Sequence, residues 1–168
     1  MAKTVDSYRF LDGVSKRAMK RWAGLDGPTQ IPWTPIAKPL RECTIALVSS
    51  AAVALKTDPP FDHELELRDP WFSDPSYRVI PRGAAAADTS VYHLHINRSF
   101  TEQDLNCALP LERLIELEAL GEIGRSAPSH YSFMGYTLRP ARLLSDSVPG
   151  IIRQLREESV DAVVLVPV

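Results

Sequence analysis

The chain has 168 residues, with 19 basic and 21 acidic side chains and a formal net charge of −2. This balance lacks the basic surface typical of nucleic-acid-binding proteins. No apolar run reaches the roughly 20 residues that a membrane-spanning helix needs. The first residues contain no apolar signal core, so we expect a cytoplasmic protein that binds neither nucleic acid nor membranes. Proline is frequent (14 residues) and glycine is not (8), which predicts stiff, extended or turning segments.

The first 42 residues are expected to lie outside the main domain. Apolar residues recur every three or four positions between Tyr8 and Leu25, which predicts a helix over 6–24 in an N-terminal segment, residues 1–27. Four prolines follow within residues 28–42, where they exclude a regular helix or a central strand. This segment is predicted to be an extended surface arm, and residues 43–168 are predicted to form one domain.

The pattern of residues 43–168 favours an α/β fold. The run 44–50 is apolar and rich in β-branched residues, as in a strand that is covered on both faces of a parallel sheet. The spacing then predicts a long ordered loop over 56–90, a strand over 91–96, and a helix starting within 101–104. A helix that Gly121 closes, a helix over 140–158 and a last strand over 160–168 follow. This order predicts a three-layer sandwich with a mainly parallel sheet, in which ligands bind beyond the carboxyl ends of the strands.

His93 and His95 are the first candidate site. On a strand, residues two apart point to the same face, and two imidazoles can hold one transition metal with Asp104 or Glu102 as a third ligand. The alternative is that both histidines are hydrogen-bonded residues at a strand end. Asp104 and Asn106 can equally cap a helix, because asparagine and aspartate are favoured at that position.

Two further segments carry polar groups. Asp74, Ser76 and Arg78 lie in the predicted loop, where Arg78 either binds a carboxylate ligand or braces the loop. The segment 130–135 combines one histidine, one phenol and one hydroxyl, which raises the question of a serine nucleophile, but it contains no nucleophile elbow. The alternative is a packed strand or turn with a close backbone approach at Gly135. Both cysteines, Cys43 and Cys107, are expected to be buried and inert.

Several short motifs occur in a characteristic order along the domain. They are the segments Pro35–Leu40, Ile45–Ser50, Pro59–Asp62, Asp74–Pro81, Asp104–Asn106, Pro110–Leu114, Gly121–Gly124, His130–Gly135 and Val160–Val163. The series resembles the selenoprotein B component of the glycine, sarcosine, betaine and D-proline reductases. In that family a selenocysteine or cysteine follows the last strand, and its selenolate or thiolate takes part in the reductive cleavage of a C–N bond. Neither Cys43 nor Cys107 matches that position, so the chain resembles a short form without this residue.

The resemblance implies a subunit of a hetero-oligomeric reductase, in which a partner chain supplies the thiol or selenol and this chain supplies a polar pocket for a small-molecule substrate. A homo-oligomer is the alternative assembly. Two alternatives stay open: a metal-dependent enzyme that uses His93 and His95, and a non-catalytic docking subunit. The implied catalytic residues are His93, His95, Asp104 and His130. The implied substrate-binding residues are Asp74, Ser76, Arg78, Asn106, Tyr131 and Ser132.

Overall fold

The computed structural model describes residue 9 and residues 11–23, 34–69 and 71–168. The chain divides into two units, residues 1–35 and 36–168, which are described separately. In the first unit, helix α1 (Gly13–Ala23) follows Asp12, whose carboxylate accepts the amide N–H of Val14 at 2.9 Å. The predicted helix over 6–24 is confirmed from residue 13 onward. Residues 9, 11 and 12 are not helical, and residues 6–8, 10 and 24 lie outside the described part. No helix within it is long and apolar enough to cross a membrane.

The described part of the predicted arm, residues 34–42, is exposed along its whole length. It contains no strand, and its last residues, Leu40–Glu42, form a short 3-10 turn. The Lys38 ammonium lies 2.8 Å from the carboxylate of Asp161, and the Leu40 carbonyl accepts the amide N–H of Gly124 at 3.1 Å. The arm is therefore attached to the domain where the central strand begins. The arm's residues 28–33 lie outside the described part.

The central strand of the second unit is β1 (Thr44–Ser49), and all six of its residues are buried. It pairs in parallel with β5 (Arg125–Ser126) near its start, with β6 (Ser129–Phe133) near its end and with β7 (Ala162–Val166) along most of its length. Strand β3 (Tyr77–Pro81) extends the sheet by pairing antiparallel to β6. The predicted α/β fold with a mainly parallel sheet is confirmed.

Helices cover both faces of β1. Ile45 and Leu47 pack on one face with Leu111 and Leu114 of α4 (Leu111–Ala119), the predicted helix that Gly121 ends with φ of 72°. On the other face, Val48 packs with Tyr131 and with Ile151 of α5 (Val148–Glu157), which a π-helical turn over Leu143–Ser147 precedes. Because alternate residues of a strand face opposite sides, one apolar run serves two helical layers. Each buried aliphatic side chain of this kind contributes about 2 kcal/mol.

Three predictions between residues 53 and 104 were wrong. The predicted loop over 56–90 contains helix α2 (His63–Arg68) and the edge strand β3, where Pro81 is tolerated because it stands at the end of the strand. The predicted strand over 91–96 is displaced. Strand β4 (Thr89–Val91) pairs with β2 (Val53–Leu55) in a separate antiparallel sheet, and the chain turns after it. Helix α3 (Arg98–Gln103) ends at Asp104 instead of beginning there, because Asn97 caps its start.

His130 completes the sheet where β5 gives way to β6. In this gap the amide N–H of Leu47 donates to Nδ1 of His130 at 3.0 Å, and Nε2 lies 3.1 Å from Oγ of Ser126. Since Nδ1 accepts a hydrogen bond, the proton of the neutral ring is assigned to Nε2. The side chain is fully buried, and burial together with the charge of Arg82 lowers its pKa from 6.5 to about 4. An imidazole thus takes the place of a main-chain carbonyl.

This arrangement predicts a loss of stability in mild acid. Between pH 6.5 and about 4 the unfolded chain binds a proton at His130 and the folded chain does not, so the free energy of unfolding falls as the pH falls. The full difference corresponds to about 3 kcal/mol. In His130→Asn the amide oxygen still accepts from Leu47, but the side chain does not titrate. Urea unfolding at about pH 7 and about pH 5 should therefore show a smaller loss for the variant than for the wild type. Equal losses would contradict the assignment.

Candidate functional site

Three parallel strands end beside Ser50, which links them through its main chain and hydroxyl. Its amide N–H donates to the carbonyl of Val166 at 3.1 Å, its carbonyl accepts from Gly135 at 2.8 Å, and its Oγ accepts from the amide of Val168 at 2.9 Å. These contacts bring the carboxyl ends of β1, β6 and β7 to one place. In α/β sheets this edge is where ligands bind.

The backbone is strained on both segments that leave this edge. Ala52 follows β1 with φ of 53°, and Tyr136 follows β6 with φ of 56°. Residues with a Cβ rarely adopt this left-handed conformation, and each costs on the order of 1 kcal/mol or more. The turn at Tyr136 places its ring on His95, with 4.0 Å between the ring centroids. Strained positions of this kind concentrate at functional sites.

Four side chains meet at this edge, and we call them the Glu66 cluster: Glu66, His93, His95 and Tyr136. Oε1 of Glu66 lies 3.7 Å from Nε2 of His95, whose side chain is 47% exposed, whereas that of Glu66 is 4% exposed. Burial raises the pKa of the Glu66 carboxyl above its usual range, and the charges of His95 and His63 oppose the rise. The cluster therefore pairs a buried carboxyl group with an imidazole that solvent can reach.

His93 lies beneath His95 and is almost fully buried. Its Nδ1 accepts the amide N–H of His95 at 3.1 Å, and its Nε2 has no hydrogen-bond partner among the described residues. Burial, followed by the nearby charge of His95, lowers the pKa of His93. The two imidazoles lie edge to face, 5.9 Å apart. They are neighbours as predicted, but on a turn after β4 instead of on a strand.

Glu66 lies on helix α2, and hydrogen bonds from a neighbouring loop fix the start of this helix. Asp62 caps α2 by accepting the amide N–H of Leu65, while Asp74 accepts the amide N–H groups of Asp62 and Ser76 at 2.9 and 2.8 Å. A salt bridge or ligand is not needed to explain Asp74 in this position.

Arg78 holds the same loop from the other side. Its guanidinium donates to the carbonyls of Pro59 and Pro60 at 3.0 and 3.2 Å and lies over the ring of Phe61, 4.2 Å from the centroid. It also donates to Oγ of Ser76 at 2.9 Å. The geometry favours loop bracing for this trio, the alternative that the sequence left open. A substrate-binding role for Asp74, Ser76 and Arg78 stays a prediction.

Asp104 and Asn106 are engaged in local capping. Oδ1 of Asp104 accepts the amide N–H of Asn106 at 2.9 Å, and Oδ1 of Asn106 accepts the amide N–H of Glu112 in the first turn of α4 at 3.2 Å. No hydrogen bond or ion pair described for either side chain reaches His93 or His95. Their predicted catalytic and binding roles remain predictions.

The remaining predicted residues belong to the interior of the sheet. Ser132 accepts the amide N–H of Val53 at 2.8 Å and donates to the carbonyl of Ser49 at 3.1 Å. Tyr131 is fully buried against the α5 face, where burial and then the charge of Glu158 raise its pKa to about 12. His130 fills the gap in the sheet described above. These positions serve structural hydrogen bonds and packing, and their predicted roles are otherwise untested.

Residues 9, 11–23, 34–69 and 71–168 contain no group of three or more histidine, cysteine, aspartate or glutamate side chains that could hold a metal ion. The predicted transition metal at His93 and His95 therefore lacks the third ligand that Asp104 or Glu102 was expected to supply. Both cysteines are free thiols. Cys43 is fully buried, as predicted, but Cys107 is exposed, because its 3-10 turn presents it to solvent.

Sequence reasoning missed Glu66, and no pattern in the sequence marks it. Helix α2 buries Glu66 while it exposes Leu65 and Leu67, the latter to 73%. Apolar periodicity would have assigned the opposite face to the interior. His63, one turn earlier on the same helix, was missed for the same reason; its ring nitrogen Nε2 is hydrogen-bonded to the carbonyl of Tyr92.

The chain is similar to a curated protein, D-proline reductase subunit gamma of Acetoanaerobium sticklandii. The two are 36% identical over 133 residues, which are 79% of this chain and 52% of the relative. The chain therefore spans about half the length of this relative. The similarity supports a relation to the proline reductases, as the motif series suggested. No family model matches the chain, and no solved structure matches it.

Gly135 permits the close contact between the strand ends and His93. A Cβ at this position would lie 2.7 Å from Nε2 of His93 and 2.7 Å from the carbonyl oxygen of Ser50. Gly135→Ala should therefore lower the free energy of unfolding by about 1–3 kcal/mol. Gly83→Ala is the matched control, since nothing lies within 4 Å of a Cβ there, and it should change stability by less than about 0.5 kcal/mol. Chemical denaturation measures both, and equal stability of the two variants would refute the contact.

Proposed function

We propose that the chain is a cytoplasmic subunit of a reductase complex related to D-proline reductase. In this proposal the chain supplies a polar site at the strand ends, and a partner chain supplies the thiol or selenol for the reductive cleavage of a C–N bond. The similarity to D-proline reductase subunit gamma carries the proposal. The substrate class that follows from the relative's name is a small amino acid with a C–N bond to its α-carbon, with D-proline as the first compound to test.

The position of the Glu66 cluster supports this proposal. The resemblance places the redox residue of the reductase family directly after the last strand. Here β7 ends at Val166, and the amide N–H of Val168 donates to Oγ of Ser50. Ser50 and His93 both lie close to Gly135, because a Cβ at that glycine would be 2.7 Å from an atom of each. A thiol or selenol from a partner that approaches this end of β7 is proposed to meet the exposed imidazole, His95, since His93 is buried. Cys43 is buried directly before β1, at the opposite end of that strand, and is unsuited to this role.

The chemistry of the cluster suits the reaction. Cleavage of a C–N bond leaves the electron pair on nitrogen, which must take up a proton to leave as an amine. His95 is the exposed imidazole at the site and is proposed as the group that supplies this proton. His93 holds the backbone of His95 through its Nδ1 and is proposed as a positioning residue.

Affinity purification of the complex, followed by an activity assay, tests the proposal. The full chain, carrying an affinity tag, would be purified under reducing conditions from its native source, and the complex assayed for D-proline reduction with a dithiol. We expect recovery of a partner whose alkylation abolishes activity, and we expect the isolated chain to be inactive. His95→Asn should reduce kcat of the complex by about 100-fold, the usual order for loss of a general acid. Glu64→Gln, an exposed change on α2, should leave kcat unaltered.

A stable homomer with no partner, or a complex without reductase activity toward D-proline and related amino acids, would refute the proposed function. A complex that keeps full activity with His95→Asn would support the second candidate, a docking subunit without catalytic groups. The exposure of β7 favours that candidate. Within residues 34–69 and 71–168 this strand pairs only with β1, and Leu165 is 72% exposed, so another chain could pair with its open edge.

A further inference from the structure

Glu66 is a buried carboxyl group whose oxygens have no hydrogen-bond partner among the described residues. An ionised carboxylate in such a place costs several kcal/mol unless a cation or a proton compensates it. The charged groups that act on Glu66 are His63 on its own helix, His95 on the turn after β4 and Asp74 on the segment before β3. Of these, His95 lies at ion-pair distance, 3.7 Å from Oε1.

The burial of Glu66 decides what the group can do. Both carboxyl oxygens are shielded from solvent, so a ligand at the surface does not contact them directly. His95 is the member of the cluster that reaches both sides, because its Nε2 faces Glu66 and nearly half of its side chain is exposed. The Tyr136 ring packs against the His95 ring at a tilt of 44° and restricts its orientation. Among the described groups that act on Glu66, His95 is the one at ion-pair distance, and Glu66 is therefore expected to act on a bound molecule through it.

We propose that Glu66 and His95 form a proton-sharing pair, in which Glu66 stores a proton that the His95 ring delivers to a basic nitrogen at the strand ends. When the pair closes from 3.7 Å to hydrogen-bond distance, the carboxylic acid gives its proton to Nε2 and the second ring nitrogen releases one to the acceptor. The two transfers deliver one net proton, and no electron moves. The identity of the acceptor as the departing amine rests on the proposed function, in which the thiol or selenol of the partner supplies the electrons. Glu66 is then a positioning residue that acts through His95.

NMR titration of the full chain, labelled with carbon-13 in its glutamate carboxyl groups and histidine rings, tests the pair without any partner. In the wild type the Glu66 carboxyl should titrate above the usual range for glutamate, and the same step should appear in the His95 ring signals, as expected for coupled groups. In His95→Asn the midpoint of Glu66 should move further upward, since a charge that favours the carboxylate is lost. Because His95 is exposed, this variant should fold.

Glu66→Gln should remove the shared step from the His95 titration, and Glu64→Gln, on the exposed face of the same helix, should leave it unchanged. If Glu66 titrates in the ordinary range of glutamate, or if His95→Asn leaves its midpoint in place, the inference is overturned. The result with His95→Asn decides the matter even where Glu66→Gln does not fold.

The activity of the purified complex then separates this inference from the proposed function. We expect Glu66→Gln to lower kcat by about 10-fold or more at an unchanged KM and to shift the pH profile, as a lost proton donor does. An active complex with a wild-type kcat and pH profile for Glu66→Gln would overturn the inference and leave the proposed function intact. A wild-type complex without activity would refute the proposed function, and the NMR titration would still decide whether Glu66 and His95 share a proton.

Discussion

The central strand β1 must satisfy every polar group of its backbone within the protein, because it is buried on both faces and has neighbours on both edges. A buried amide or carbonyl without a partner costs free energy comparable to a lost hydrogen bond. Strand β7 satisfies one edge along five consecutive pairs. The other edge is shared between β5 and β6, and the gap between them is closed by a side chain, His130. The helices of both layers pack on the two faces of this fully paired strand, and its neighbours β6 and β7 end where it ends.

The functional site follows from the same constraint. Because β1, β6 and β7 run in parallel, their carboxyl ends lie together, and Ser50 ties the three ends with main-chain and hydroxyl hydrogen bonds. The chain then turns sharply at Ala52 and Tyr136, both in the left-handed conformation. The sheet fixes the position of these turns. The turns place His93 and His95 next to Glu66 of α2. The site is thus built from loops, while its location is set by the sheet.

The parts of the structure that depend on local patterns could be predicted from the sequence, and those that depend on tertiary contacts could not. The apolar run of β1 and the spacing of α4 and α5 predict elements that exist, because burial on both faces of a strand and on one face of a helix leaves a clear periodic pattern. Strands β2 and β4 have only three residues each, which is too short for alternation to show. The nearness of His93 to His95 follows from their spacing. Glu66 lies 27 positions before His93, on a helix whose leucines are exposed. Its place beside the two histidines therefore depends on tertiary packing alone.

The pairing of β1 also has a consequence for the order of folding. The amide N–H of Thr44 donates to the carboxylate of Asp161 across 117 positions of sequence, and that of Leu47 donates to Nδ1 of His130 across 83. During synthesis, this fully buried strand is therefore made long before its neighbours β5, β6 and β7 exist. Contacts of such long range make folding slow, and an unpaired apolar strand is a site of aggregation. Until residues 125–166 have been made, residues 44–49 have none of their native strand partners.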